Sequence, residues 1–194
     1  MRQPLRPSLA ALSALAAAAA LLVCLLWILP SAASAQPPMS PPAPELQKLA
    51  YLVGSWEGES ETKSGPTGGP GGKVHTTDSC EWFPGGYYLV CRTKYSGAMG
   101  TIESLSEIGY DAAGKAYTYH SINNFGTADT ATGTVTGDTW TWSFATQMGP
   151  HKVPARYVST TTSPTSYTFK VESKGEGGAW TTFLEGSRHK LGSK

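Results

Sequence analysis

Few side chains in this sequence have the type and spacing to do chemistry: the cysteines Cys80 and Cys91, four histidines, and the glutamates Glu57, Glu59 and Glu61. The cysteines are the most informative. Cys80-Glu81-Trp82-Phe83-Pro84-Gly85-Gly86-Tyr87-Tyr88-Leu89-Val90-Cys91 reads as a β-hairpin centred between Gly85 and Gly86. Pro84 cannot donate to a strand ladder, so the expected loop is the four residues Pro84 to Tyr87. Counting back from that loop puts Cys80 opposite Cys91 at a non-hydrogen-bonded pair, where Cα atoms approach most closely and a disulfide forms most easily. The alternative is a pair of small, buried free thiols.

The histidines His75, His120, His151 and His189 stand at no ligand spacing to one another or to a cysteine, so no metal site is expected. His120, beside Tyr119 and shortly before Asn123 and Asn124, is a candidate for lining a cavity; the plainer reading is a partly exposed strand histidine. No Gly-x-Ser-x-Gly elbow occurs and no histidine accompanies a nucleophile at a telling distance, so no catalytic residue is assigned. Glu57, Glu59 and Glu61 recur at period two and share one strand face. Three like charges there read first as solvated surface and only second as a calcium or acidic site.

The elements that would carry these residues are mostly strands. Trp140, Trp142 and Phe144 alternate with Thr139, Thr141 and Ser143, and Tyr167, Phe169 and Val171 alternate with Thr168, Lys170 and Glu172. Ile102, Ile108 and Tyr110 lie opposite Glu103 and Glu107. Such alternation, broken at short intervals by Gly, Pro, Asn or Asp, marks antiparallel β structure. Further strands are expected near 54–62, 73–82, 87–95, 115–123, 127–136, 152–162 and 179–188, with a short helix over Glu45 to Val53 after a proline. About ten short strands are most economically arranged as a barrel, which leaves no long edge exposed. The aromatic residues Tyr117, Tyr119, Trp140, Trp142, Phe144, Tyr167, Phe169 and Trp180, if all inward, would either fill that barrel or line a cavity.

The chain start has the layout of an export signal. Arg2 and Arg6 precede an apolar run from Leu9 to Leu29, and Ala33-Ser34-Ala35 makes a small-residue cleavage site. Residues 1–35 are therefore expected to be a signal peptide, 36–44 a Pro-rich tether, and 45–190 a single β-barrel domain in the periplasm or outside the cell. An uncleaved membrane anchor is the alternative. Removal of residues 1–35 leaves thirteen basic and fourteen acidic residues, a net −1. That charge gives nucleic acid no basic patch, and no membrane contact is expected after cleavage. An oxidising compartment would also favour the disulfide.

Four segments together resemble the bacterial domain of unknown function 1579 family: Pro44 to Gly58 with its Gly54-Ser55-Trp56 element, the Pro84-Gly85-Gly86-Tyr87 turn, Gly109-Tyr110-Asp111, and Ser166 to Trp180. The resemblance implies an all-β, antiparallel, lipocalin-like (calycin-type) barrel and no established activity. The opening is also similar to that of the nitrobindins, haem-binding barrels with Gly-x-Trp-x-Gly-x-Gly and a histidine ligand near the C-terminus. Here Ser60 replaces the last glycine, and His189, between Arg188 and Lys190, is the ligand that this resemblance implies. The expected function is binding of a small hydrophobic molecule by Trp56, Tyr119, His120, Trp140, Trp142 and Phe169, with no cofactor. The alternatives are a haem-binding or hydrolytic barrel using His120 or His189, and a structural or interaction module of the cell envelope.

Overall fold

The structure is a computed structural model that describes residues 40–65, 69–98, 100–148, 150–175 and 177–192. The signal peptide expected at 1–35, and the tether up to residue 39, lie outside these residues. Ten strands follow in chain order: β1 (Gly54–Thr62), β2 (Gly72–Trp82), β3 (Leu89–Gly97), β4 (Gly100–Asp111), β5 (Ala116–Asn123), β6 (Ala128–Thr136), β7 (Thr139–Met148), β8 (His151–Ser163), β9 (Ser166–Lys174) and β10 (Trp180–Lys190). Each strand pairs antiparallel with the next, and β1 pairs with β10 to close the barrel. Closure removes the edges that an open sheet of this size would expose.

Turn chemistry sets the hairpins. Asp111 accepts the Ala113 N–H on its Oδ1 at 3.0 Å, an Asx turn between β4 and β5. Gly137 takes φ 55° between β6 and β7, a left-handed conformation that suits glycine. Between β2 and β3, the Phe83 N–H donates to Tyr88 O at 2.9 Å, which encloses the four-residue loop Pro84 to Tyr87. Cys80 and Cys91 then face each other across the ladder with Cα atoms 4.1 Å apart and are joined by a disulfide.

Pro44–Leu52 forms a 3₁₀ helix that ends where the Val53 N–H bonds to Ala50 O, three residues back. Proline in its first turn loses no hydrogen bond, because that N–H would have no partner within the helix. The helix plugs one end of the barrel. Leu46 and Leu49 are buried there among Cys80, Leu89, Cys91, Ile108, Tyr117 and Trp140. Side chains from three strands hold it in place: Tyr117 Oη donates to Glu45 O at 2.8 Å, Trp56 Nε1 to Leu52 O at 2.8 Å, and Lys190 Nζ to Tyr51 O at 3.1 Å.

The β1–β10 seam is tight. A Cβ built on Gly58 would stand 2.0 Å from Ser187 O, so only glycine permits this approach.

Leu49 is 0% exposed at the centre of the plug, so Leu49→Ala is expected to cost about 2–5 kcal/mol. Urea unfolding should show this as a lower midpoint with an unchanged slope. A loss below about 0.5 kcal/mol, the range of surface substitutions, would mean that the helix is not part of the core.

Candidate functional site

Alternation along the strands separates an inner from an outer wall. Trp56, Trp140 and Phe169 all face inward but are packed shut, at 1%, 5% and 6% exposed. Trp56 touches Tyr51 and Tyr167 with ring centroids at 6.2 and 5.3 Å, and Trp140 stacks on Trp142 at 5.9 Å and 8°. Tyr119 and Trp142 also face inward, 6.0 Å apart, and keep accessible surface. Trp142 lies over Gly133 of β6, where a Cβ would come within 2.5 Å of its ring.

His120 does not join them. It is exposed on the outer wall, because it follows the inward Tyr119 and successive strand residues point to opposite faces. His189 is likewise outward, next to the inward Arg188, and its Nε2 lies 3.1 Å from Glu57 Oε1. Neither imidazole can ligate a haem carried in the lumen, so the residues assigned to that alternative do not fit the group. Trp180 also stands outside, with the Arg156 guanidinium 4.2 Å from its ring centroid. Beneath them Glu172 is 4% exposed and bonded to Arg156 Nε at 2.6 Å and Lys170 Nζ at 2.8 Å. Burial alone would raise its pKa, but the Lys170 and Arg156 hydrogen bonds hold it below the usual carboxylate value. On the acidic face of β1, Glu59 Oε1 lies 2.7 Å from His75 Nδ1 and Glu57 meets His189 as above; beside it, Lys63 reaches Glu185 of β10 at 3.0 Å. Among the described residues no cluster of three or more His, Cys, Asp or Glu could hold a metal ion.

The inner wall carries polar residues that the sequence reading passed over. Arg188, 7% exposed, pairs through Nη1 with Asp78 Oδ2. Its guanidinium carbon stands 5.3 Å from the Phe169 ring centroid and 5.9 Å from that of Tyr95. Its Nε–H is buried with no hydrogen-bond acceptor among the described residues. An unmet buried donor of this kind costs about 1–3 kcal/mol. Burial would lower the arginine pKa, but the facing Tyr167, Asp78, Tyr157 and Tyr95 raise it, and the group stays charged.

Tyr95 and Tyr157 complete this locus. Both face inward and are half-buried, and burial drives their phenol pKa upward, Tyr95 to about 12. The inward Tyr119, Trp142 and Phe144 likewise keep accessible surface. Two depressions, of about 700 and 790 Å³, lie largely on the outer wall and are broadly open to solvent. Charges including Glu59, Lys73, Lys170 and Glu185 line the first, and the second reaches in to Trp56 and Asp78.

A closed antiparallel barrel plugged at one end by a short helix, with aromatic side chains and a polar locus inside, defines a lipocalin-like protein. Solved structures share this fold. The chain is similar to Rv2717c from M. tuberculosis, with 16% identity, a TM-score of 0.54, and coverage of 78% of this chain and 99% of that one. It is also similar to the S-type phycobiliprotein lyase CPES from Guillardia theta, with 10% identity, a TM-score of 0.53, and coverage of 76% and 93%. Residues 41–190 match the family described as protein of unknown function (DUF1579), and the chain belongs to that family. No curated protein matches the sequence.

The buried phenols predict an alkaline limit to stability. Tyr51, hydrogen-bonded to Thr161 and Ser159, is raised chiefly by burial to about 12, like Tyr95. Tyrosine in the unfolded chain titrates near pH 10, roughly its model-peptide value. Because the folded pKa is the higher, this contribution is fully present below about pH 10 and is lost as pH rises toward about 12. Denaturant midpoints should fall across that window, with phenolate absorbance lagging behind free tyrosine. Free-tyrosine titration of all nine tyrosines in the folded protein would overturn the assignment.

Proposed function

We propose that this protein is an exported barrel that binds a small hydrophobic molecule in its lumen. What supports the reading is the accessible surface kept by inward aromatic residues: Tyr95, Tyr119, Trp142, Phe144 and Tyr157 are each only half-buried. Concave, mostly apolar sites with a few converging polar groups are the usual form of small-molecule pockets. On this reading Tyr119 and Trp142 line the pocket, while the inward Trp56, Trp140 and Phe169 are buried in side-chain packing. The phycobiliprotein lyase CPES shares this fold, and a shared fold by itself specifies no ligand. For export, the support is the signal-like layout of residues 1–35 together with the Cys80–Cys91 disulfide, a bond that persists in oxidising compartments.

The test uses a filled lumen. Ala131 faces inward on β6, partly exposed and opposite Tyr119. Ala131→Phe should weaken binding of the uncharged fluorophore dimethylaminonaphthalene at least about tenfold, a loss of about 1.4 kcal/mol. Thermal stability should hold. Native mass spectrometry of protein from its own envelope should show an added mass that the variant lacks. Absence of both an added mass and fluorophore binding in the wild-type protein would favour an interaction module instead.

A further inference from the structure

The polar locus on the inner wall constrains what the ligand must be, an inference that rests on the lumen being a binding site. We propose that the ligand carries an uncharged hydrogen-bond acceptor of the carbonyl class, which docks at Arg188 with Tyr95 and Tyr157 beside it. Three observations carry this.

The unmet group is a donor. Arg188 Nε–H has no acceptor among the described residues, and a guanidinium can donate but never accept. A ligand that satisfies it must therefore present an oxygen or nitrogen lone pair. The donor has no accessible surface in the unliganded barrel, so docking requires the Arg188 side chain to turn.

The local charge is already balanced. Asp78 neutralises Arg188 within the barrel. A ligand carboxylate would leave a net negative charge beside Asp78 in an aromatic enclosure, and burying an uncompensated charge is far costlier than burying a hydrogen-bonded neutral group. A carbonyl meets the donor without that cost.

The surroundings suit a flat molecule with one polar end. Tyr157 stacks on Phe169 at 5.2 Å and 21°, next to the guanidinium, and Trp142 pairs with Tyr157 across β7 and β8. The Tyr157 hydroxyl donates to Tyr167 and the Tyr95 hydroxyl is bonded to Arg188, and burial keeps both protonated through the neutral range.

Three probes of one shape decide the matter: dimethylaminonaphthalene, its propionyl ketone, and the corresponding naphthoate. The ketone should bind about tenfold more tightly than the parent, the naphthoate more weakly than either, and the ketone C=O stretch should shift to lower frequency on binding. Replacing the pair with apolar residues, Arg188→Met with Asp78→Leu, should erase the ketone's advantage over the parent. If that variant does not fold, the probe comparison in the wild-type protein decides alone. Equal binding of ketone and parent, or tightest binding of the naphthoate, overturns the carbonyl assignment and leaves the hydrophobic site standing. Failure of all three to bind overturns the site itself.

Discussion

Closure of the sheet brings β1 against β10, and the rest of the molecule depends on how closely those two strands can approach. At Gly58 an added Cβ would lie 2.0 Å from Ser187 O, and at Gly186 it would lie 2.3 Å from Glu59 O. Two backbones in such contact tolerate no side chain between them. The seam places Trp56 opposite Lys190, so that the indole reaches the helix at Leu52 while Lys190 holds Tyr51. It also sets Gly58 opposite Arg188, which leaves the guanidinium room to enter the lumen.

From that seam the barrel interior is filled by large side chains at one end and by smaller ones beyond it. The first end contains the helix, the disulfide and the aromatic stack of Tyr110, Tyr117, Trp140 and Trp142. The disulfide closes a hairpin whose register is already fixed by its turn, so it secures the wall against which Leu49 packs. Further along, smaller residues such as Ser104, Ser121 and Ala131 point inward on β4, β5 and β6.

The strands and the Cys80–Cys91 bridge were legible in the sequence because both rest on local rules: alternation gives the strands, and a glycine-centred turn gives the register. The assignment of faces was legible only where two adjacent residues were considered together. Tyr119 and His120 cannot both line a lumen, because neighbours on a strand point opposite ways. An inward tyrosine therefore sends the histidine out, and the same parity at Arg188 sends out His189. Trp180 escaped the pattern for another reason. β10 shifts register between Thr182 and Leu184, and a bulge inserts one residue and turns the alternation over. Arg188 and Asp78, 110 residues apart in sequence, meet only because the barrel closes. Tyr95 and Tyr157 stand alone on strands whose neighbouring inward positions, Thr93, Ala155 and Ser159, are small, so no aromatic alternation points to them.

The buried Arg188–Asp78 pair is hard to account for by stability alone. Removing two charges from water costs several kcal/mol per ion after relaxation, and apolar residues of similar volume in place of such a pair are often neutral or stabilising. Here the pair is also incomplete, since Nε remains unmet. A barrel shaped only to remain folded would gain from leucine and methionine at these positions. The polar locus instead leaves a directional donor in a lumen whose other contacts, aromatic and dispersive, have little preference for orientation. On the reading proposed above, the aromatic walls supply most of the affinity and Arg188 sets which end of the ligand points inward. The energetic cost of an unsatisfied donor in the empty barrel would then be offset only when a matching acceptor arrives, which makes that cost a source of selectivity.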